Sequence, residues 1–255
     1  MEIKFLGTGT SQGVPVIGCH CNVCKSTNIK DKRLRTSIHL NVNHRSFVVD
    51  TGPDFRMQML REQIENLDAV VFTHEHKDHT AGLDDIRPYY FLQEKDIPIY
   101  ATQEVQKRLK NAYEYMFYRE KYPGVPNVHL QTIDNQPFNI FGVDFIPILV
   151  YHYLLPVFGF RIGDFTYITD ASYIPPEEIQ KIKGSKVIVL NALRKEEHLS
   201  HFNLQEAIDH IEAINPEKAY LTHISHQLGA HDEVEEQDLP ENIHLAYDGL
   251  KIQMK

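Results

Sequence analysis

The sequence contains few cysteines, and they lie close together. Its 255 residues include only three, Cys19, Cys21 and Cys24. An odd number of cysteines at this spacing cannot form a disulfide framework, so the chain is not a disulfide-stabilised secreted domain. Metal binding is the leading alternative, because thiolates are good zinc ligands.

Long hydrophobic runs and a recognisable secretion signal are missing too. The longest uncharged stretch near the middle, residues 145–160, is too short to span a bilayer and contains Pro147, His152 and Pro156. The N-terminus has an acid at position 2 and lacks the basic start and apolar core of a signal peptide. We therefore expect a cytoplasmic protein that has no membrane partner.

Tryptophan is absent, but the rest of the composition is that of a globular protein, with 42% hydrophobic and 24% charged residues. No linker rich in Ser, Gly or Pro interrupts the chain, so we expect residues 1–255 to form one domain. The net charge of −9 argues against a general nucleic-acid binder. Two local basic groups, at residues 30–35 and 107–110, are interpreted as solvated surface.

Apolar patterns and turn residues predict a mixed fold. Residues 37–42 and 47–50 form a predicted hairpin around Asn43, His44 and Arg45, and residues 102–118 have the period of an amphipathic helix. Asn203 and Glu206 have the spacing of a capping box at the start of another helix. Strand-rich halves that each end in helices indicate an α/β (α+β) fold in which two mixed β-sheets pack between helical layers.

The strongest functional signal directly follows an apolar strand at residues 69–73. It is a group of three histidines and one aspartate: His74, His76, Asp78 and His79. Two imidazoles at this spacing can converge on one divalent ion, while the aspartate and the third histidine hold another. Further candidate ligands follow other predicted strands: His152, Asp170 and His223. Each of these three alone could equally be a satisfied polar residue, but with the first group they predict a dinuclear site in which Asp170 bridges the ions.

These residues resemble the hallmark of the metallo-β-lactamase fold, an αββα sandwich, and the resemblance covers almost the whole chain. It is closest to the phosphoribosyl cyclic phosphate phosphodiesterases of phosphonate breakdown. Three segments carry this closer resemblance: Gly7-Thr8-Gly9-Thr10 with Gln12-Gly13-Val14-Pro15, the Gly-Cys-x-Cys-x-x-Cys stretch that begins at Gly18, and Leu221-Thr222-His223-Ile224-Ser225-His226-Gln227.

The resemblance implies the roles of the metal ligands. One manganese or zinc ion would be held by His74, His76 and His152, the other by Asp78, His79 and His223, with Asp170 between them. A separate structural zinc would be held by Cys19, Cys21, Cys24 and His226. His20 is a rival fourth ligand, but it lies between two cysteine ligands, where strain is expected.

The resemblance also suggests residues around the metals. Asp50 is similar to a carboxylate that braces the histidine loop, and His201 matches a histidine proposed as the general acid. Asn191 departs from the family, which has an acid near this position, and this departure leaves the cyclic phosphoribosyl substrate open. Arg194 is a candidate ligand for the substrate phosphate, on its charge and position alone.

The sequence thus predicts hydrolysis of a small, cyclic phosphodiester by a metal-bridging hydroxide that Asp78 orients, with His201 protonating the leaving oxygen. A tRNA-processing endonuclease is an alternative, but it would need a basic docking arm. A β-lactamase would be expected to have a secretion signal. A non-phosphodiester role like that of the pyrroloquinoline-quinone biosynthesis protein, and a metal-stabilised binding protein without turnover, also stay open. We allow for a homodimer.

Overall fold

The computed structural model describes residues 1–118, 120 and 124–254. Its strands, in chain order, are β1 (Glu2–Gly7), β2 (Ser37–Val42), β3 (Arg45–Val49), β4 (Ala69–Val71), β5 (Ile97–Ala101), β6 (Val128–Thr132), β7 (Phe138–Ile140), β8 (Val143–His152), β9 (Leu155–Ile162), β10 (Phe165–Tyr167), β11 (Val187–Asn191), β12 (Lys218–Thr222), β13 (Ile243–Leu245) and β14 (Lys251–Gln253).

The helices connect these strands and cover them. In chain order they are α1 (Asn22–Lys25), α2 (Phe55–Arg61), α3 (Lys77–Thr80), α4 (Arg87–Gln93), α5 (Gln103–Ala112), α6 (Glu114–Phe117), α7 (Pro176–Ile182), α8 (Leu204–Ile214) and α9 (His231–Gln237). In the part of the chain that the structure describes, none of them has the length and hydropathy required to cross a membrane.

The strands form two sheets of seven strands each, in the orders β14-β1-β2-β3-β4-β5-β6 and β13-β12-β11-β10-β9-β8-β7. Each sheet is mixed. In the first, the strands from β14 to β3 pair antiparallel and those from β3 to β6 parallel. In the second, β7 to β10 pair antiparallel and β10 to β13 parallel. The predicted pair of mixed sheets is confirmed.

Successive side chains of a strand point to opposite faces of its sheet, and this alternation divides the core into three layers. On β3, Phe47 and Val49 face the second sheet, whereas Val48 lies between them in sequence and packs under the helices that include α2 and α5. A third apolar cluster joins the outer face of the second sheet to α8 through residues such as Ile188 and Ile208. The order is therefore helix, sheet, sheet, helix, as the sequence predicts.

The predicted hairpin and capping box are confirmed, except that Arg45 belongs to β3 and pairs with Val42 instead of lying in the turn. Asn43 and His44 both have positive φ, which a two-residue hairpin turn requires, and the Asn203–Glu206 capping box is present. The single helix predicted over residues 102–118 is wrong. It breaks at Tyr113, which leaves the helical conformation with φ −128° and ψ 42° while its hydroxyl donates to the Thr80 carbonyl.

Buried His39 should make the folded state sensitive to acid. Its Nε2 lies 2.8 Å from Ser46 Oγ, and burial lowers the pKa of His39 to about 4. The unfolded chain binds this proton more readily than the folded one, so stability present above about pH 6.5 is lost as the pH falls toward 4. Between pH 7 and pH 4, the free energy of unfolding measured with urea should fall by about 3 kcal/mol more for wild type than for His39→Gln. Equal losses would contradict this.

Candidate metal centre

Four strand ends bring the predicted ligands to one place. The histidine loop that starts at His74 follows β4, His152 ends β8, Asp170 follows β10, and His223 follows β12 directly. Parallel neighbouring strands end on the same side of a sheet. β4 belongs to the first sheet, and β8, β10 and β12 belong to the second. The structure therefore assembles all seven predicted ligands from segments that are far apart in sequence.

The first three histidines form one group. Nε2 of His74 lies 3.0 Å from Nδ1 of His76, and the ring centroid of His152 lies 5.2 Å from that of His76 and 6.0 Å from that of His74. Nδ1 of His152 donates to the Ser200 carbonyl at 2.6 Å, which fixes the ring and leaves Nε2 for the cluster.

The second group is formed by Asp78, His79, Asp170 and His223, whose ligand atoms all lie within 4.8 Å of one another. Asp170 lies in the middle of it. Its Oδ2 is 3.2 Å from Nε2 of His79, and its Oδ1 is 3.2 Å from Nε2 of His223. Oδ2 of Asp78 is 3.3 Å from the same His79 nitrogen.

The polar atoms of this group fit a cation. Among the described residues, the buried Nε2 atoms of His79 and His223 have no hydrogen-bond partner, although carboxylates lie near them. Burial acts to raise the pKa of Asp170, but the imidazoles of His223 and His79 outweigh burial and lower it. Ionised carboxylates beside unsatisfied imidazole nitrogens are the donor set that divalent metal ions bind.

Three residues around the centre have strained backbones that sequence patterns did not reveal. Asp50, Asp170 and His223 have φ values of 65°, 57° and 56°. Few residues other than glycine adopt this left-handed conformation, and such strain concentrates at functional sites. At Asp170 and His223 the chain turns sharply just past the strand, so the side chain enters the cluster.

Asp50 lies where the sequence predicts a brace. Its carboxylate is fully buried and accepts hydrogen bonds from the Thr73 amide at 2.9 Å, the Thr73 hydroxyl at 2.8 Å and Nδ1 of His79 at 2.7 Å. A proton held on Nδ1 leaves Nε2 of His79 to face Asp78 and Asp170. Asp50 thus fixes the orientation of an imidazole in the cluster.

Gly52 allows a close backbone contact beside the histidine loop. A Cβ atom at this position would lie 2.2 Å from the Asp78 backbone oxygen, so a Gly52→Ala substitution must displace that segment. We expect the hydrolysis that the sequence predicts to fall by about 10²-fold in this variant, because small displacements of reacting groups are costly. Steady-state kinetics would measure it beside Gly142→Ala, where a Cβ meets nothing within 4 Å and the strain from a φ of 87° falls on the turn between β7 and β8. Equal activity of the two variants would contradict the prediction.

Asn191 does not face an open substrate site. It is fully buried at the end of β11, where Oδ1 accepts from the Ala171 amide at 2.7 Å and Nδ2 donates to the Ala171 carbonyl at 2.9 Å. An aspartate would turn its second oxygen toward that carbonyl. The amide thus holds the backbone next to Asp170, a role that the sequence did not indicate.

Asn191→Asp should therefore destabilise the fold without adding a useful base. We expect the free energy of unfolding at pH 7 to fall by about 2 kcal/mol, because a buried charge would lose one hydrogen bond and face a carbonyl oxygen. Denaturant unfolding measures this, with exposed Asn66→Asp as the control. An equally small change in the free energy of unfolding of both variants would show that the bonds to Ala171 do not stabilise the fold.

Arg194 uses three of its five N–H donors within the protein. Its Nε, Nη1 and Nη2 atoms donate to the Glu196 carbonyl, the Gln227 side chain and the Glu197 carbonyl. The bond to Gln227 joins its loop to the segment after His226. The predicted contact with a substrate phosphate would fall to the other two N–H groups and stays a prediction.

His201 lies in the cluster, but its electrostatics differ from the sequence expectation. Its ring stacks on that of His223 with centroids 4.7 Å apart, and its Nδ1 is 3.8 Å from Oδ1 of Asp170. Burial lowers the pKa of His201 to about 2, which favours the neutral imidazole, whereas the predicted general acid has to be protonated. One nitrogen of His201 also lies within 4.8 Å of a ligand atom of His152 and of Asp170.

A second donor group lies at the three cysteines. Nδ1 of His226 is 3.4 Å from Sγ of Cys19 and 3.3 Å from Sγ of Cys21, and the ligand atoms of these residues and Cys24 lie within 4.8 Å of one another. A hydrogen bond from the Cys24 amide lowers the pKa of the Cys21 thiol to about 6, which favours the thiolate. His20 is exposed and does not belong to this group.

Comparison with known proteins identifies the family. The family described as "Beta-lactamase superfamily domain" matches residues 45–224. A solved structure described as a new diphosphatase from the PhnP family is 38% identical, covers 100% of this chain and 98% of its own, and has a TM-score of 0.93. The chain therefore belongs to the beta-lactamase superfamily and, within it, to the PhnP family.

Two other proteins match the fold of this chain or match it over part of their own length. Zn(2+)-bound PqqB from Methylobacterium extorquens is 18% identical over 100% of both chains with a TM-score of 0.82, which shows the fold alone. A Porphyromonas gingivalis protein named octanoyltransferase is 39% identical over 98% of this chain, but only 51% of its own length is matched. The chain spans about half the length of the curated proteins that it matches.

Proposed function

We propose that this chain is a dinuclear metal-dependent phosphodiesterase that hydrolyses a small, cyclic phosphodiester. The observation that carries the proposal is the pair of buried, unpartnered Nε2 atoms of His79 and His223 beside the carboxylates of Asp78 and Asp170. The relative described as a PhnP-family diphosphatase supports a reaction at phosphorus.

In this proposal His74, His76 and His152 would hold one ion, and Asp78, His79 and His223 would hold the other. Asp170 would serve both, because its carboxylate lies within 4.8 Å of ligand atoms of Asp78, His79 and His223 and also of His152. When bound, two divalent ions, manganese or zinc, activate water and neutralise charge on the phosphoryl oxygens. A third ion, a structural zinc, would be held by Cys19, Cys21, Cys24 and His226. It would fix the loop that carries His223, which is three residues from His226.

The side chains of the protein supply orientation and proton transfer. Asp78 stays ionised, because the imidazoles of His79 and His223 outweigh the effect of burial and lower its pKa. It can therefore accept a hydrogen bond from the attacking water and orient it for in-line attack. His201 lies next to Asp170 and would donate to the leaving oxygen, once negative charge on the phosphoryl group favours its protonated form.

We do not propose octanoyl transfer, the activity named for the Porphyromonas gingivalis protein, as the reaction of this site. This chain matches only 51% of that protein, and its own cluster consists of imidazoles and carboxylates. We propose that the named transfer activity belongs to the unmatched half. We also expect this chain to act in the cytoplasm, where its three thiols stay reduced.

Hydrolysis of a small substrate panel tests the proposed function. The panel contains a chromogenic phosphodiester, a five-membered cyclic ribose phosphate, a cyclic nucleotide and a pre-tRNA, each tested on manganese- and zinc-loaded enzyme. We expect turnover of the small diesters, with the cyclic ribose phosphate preferred. Turnover of pre-tRNA alone would favour the endonuclease alternative. If a protein with full metal content hydrolysed none of these substrates, the result would favour a non-phosphodiester reaction or a binding role.

A further inference from the structure

The helix α3 carries two of the proposed metal ligands, Asp78 and His79, on a single turn of four residues. A helix this short has few hydrogen bonds of its own, and the last carbonyl groups of any helix lack partners within it. Contacts from other segments must therefore fix the position of α3. The same contacts determine where both ligand side chains lie.

Two hydrogen bonds from distant segments hold the end of α3. The Thr51 amide donates to the His79 carbonyl at 2.8 Å. The Tyr113 hydroxyl donates to the Thr80 carbonyl, also at 2.8 Å. Thr80 is buried, and without this hydroxyl its carbonyl would be one of the unsatisfied groups of a helix end. Tyr113 thus bonds to the backbone one residue after His79.

Tyr113 is itself held firmly where the chain leaves α5. Its amide donates to the Leu109 carbonyl at 2.9 Å, and its carbonyl accepts from the Met116 amide at 2.9 Å. Met116 is fully buried in the apolar cluster under α5. The hydroxyl of Tyr115 donates to the carboxylate of Asp84, which lies shortly after α3. The break in the predicted helix therefore presents a fixed hydroxyl donor to α3.

We propose that Tyr113 is a positioning residue for the second metal ion: its bond to the Thr80 carbonyl holds α3 where Asp78 and His79 can bind the ion. This inference rests on the proposed function, in which these two side chains share one ion. It adds a residue that lies 33 positions from Thr80 in sequence. Asp50 orients the imidazole of His79 alone, whereas Tyr113 acts on the backbone that carries both ligands.

Tyr113→Phe tests the proposal, because it removes the hydroxyl and keeps the ring. The matched control is Tyr89→Phe, since the Tyr89 hydroxyl donates to the Ile64 carbonyl at 2.6 Å, outside the histidine loop. Burial raises the pKa of both tyrosines to about 12, so each hydroxyl keeps its proton at pH 7.

Equilibrium dialysis of the manganese-loaded protein against graded concentrations of free manganese, followed by metal analysis, would give a dissociation constant for each ion. Asp78→Ala identifies the second ion as the one that this variant loses. Hydrolysis of the chromogenic diester would be measured at limiting and at saturating manganese.

We expect Tyr113→Phe to raise the dissociation constant of the second ion about tenfold, the effect of losing one outer hydrogen bond around a metal site. The constant of the first ion should stay within about twofold, since its ligands precede α3 or come from the second sheet. Hydrolysis should fall at limiting manganese and recover at saturating manganese, because mass action refills the weakened site. Tyr89→Phe should lose similar thermal stability and keep both constants.

Other results overturn the proposal. Unchanged metal binding in Tyr113→Phe would show that the hydroxyl supports the fold alone, and an equal loss in Tyr89→Phe would show a general loosening. Equal weakening of both ions, or a wild type that binds no second ion, would remove the assignment. If wild type bound two ions and hydrolysed no diester, the proposed reaction would fail, whereas the two dissociation constants would still decide the role of Tyr113.

Discussion

Replacing Asp78 with alanine is expected to lower kcat/KM for phosphodiester hydrolysis by at least about 10³-fold. Oδ2 of Asp78 lies 3.3 Å from Nε2 of His79 and 3.7 Å from Nε2 of His223, so the carboxylate belongs to the proposed second ion site. Its loss removes a ligand, a negative charge and the group that orients the attacking water. Steady-state kinetics and metal analysis of one preparation would measure both effects.

Asp209→Ala is the control for this substitution. Asp209 is an exposed aspartate on α8 that accepts a hydrogen bond from Gln205, far in sequence from the histidine loop. The control should keep wild-type turnover and metal content. Near-wild-type hydrolysis by Asp78→Ala would refute the mechanism, and a lost ion with unchanged hydrolysis would show that the second ion is not needed.

Replacing His226 with alanine is expected to remove the proposed structural zinc and to lower the free energy of unfolding by several kcal/mol. His226 supplies the imidazole that completes the three-cysteine group, and the Thr8 carbonyl accepts from the Ile224 amide in the same loop. Without the zinc, this loop loses its anchor near His223. Hydrolysis should therefore fall as well, although His226 lies outside the catalytic cluster.

His20→Ala is the matched control, because it removes a histidine from the same cysteine segment. His20 is exposed and lies outside the donor group, so zinc content and thermal stability should stay at wild-type values. Metal analysis and thermal unfolding of the two variants would decide between the histidines. Zinc loss in His20→Ala with retention in His226→Ala would reverse the assignment.

Much of the candidate site was predictable because each ligand follows an apolar strand. The ends of β4, β8, β10 and β12 are visible as hydrophobic runs, and the polar residue after each run is the one that enters the cluster. The cysteine spacing likewise predicted one donor group, which the structure brings together with His226. Local sequence patterns are sufficient to predict a site residue when the signal lies in the segment that carries that residue.

Features that depend on contacts between distant segments could not be read from the chain. Asn191 has no local signal for its two bonds to Ala171, and Arg194 has none for its bond to Gln227. The low pKa of His201 results from burial among residues remote in sequence. The break at Tyr113 likewise depends on a contact with Thr80.

We propose that the histidine and carboxylate cluster binds two metal ions. Anomalous diffraction from crystals of the protein, recorded on both sides of the zinc and manganese absorption edges, tests it most directly. We predict two peaks among His74, His79, His152, Asp170 and His223, and a separate zinc peak between Cys19 and His226. A map without peaks in the cluster, in which the imidazole nitrogens bond to the carboxylates instead, would contradict the account.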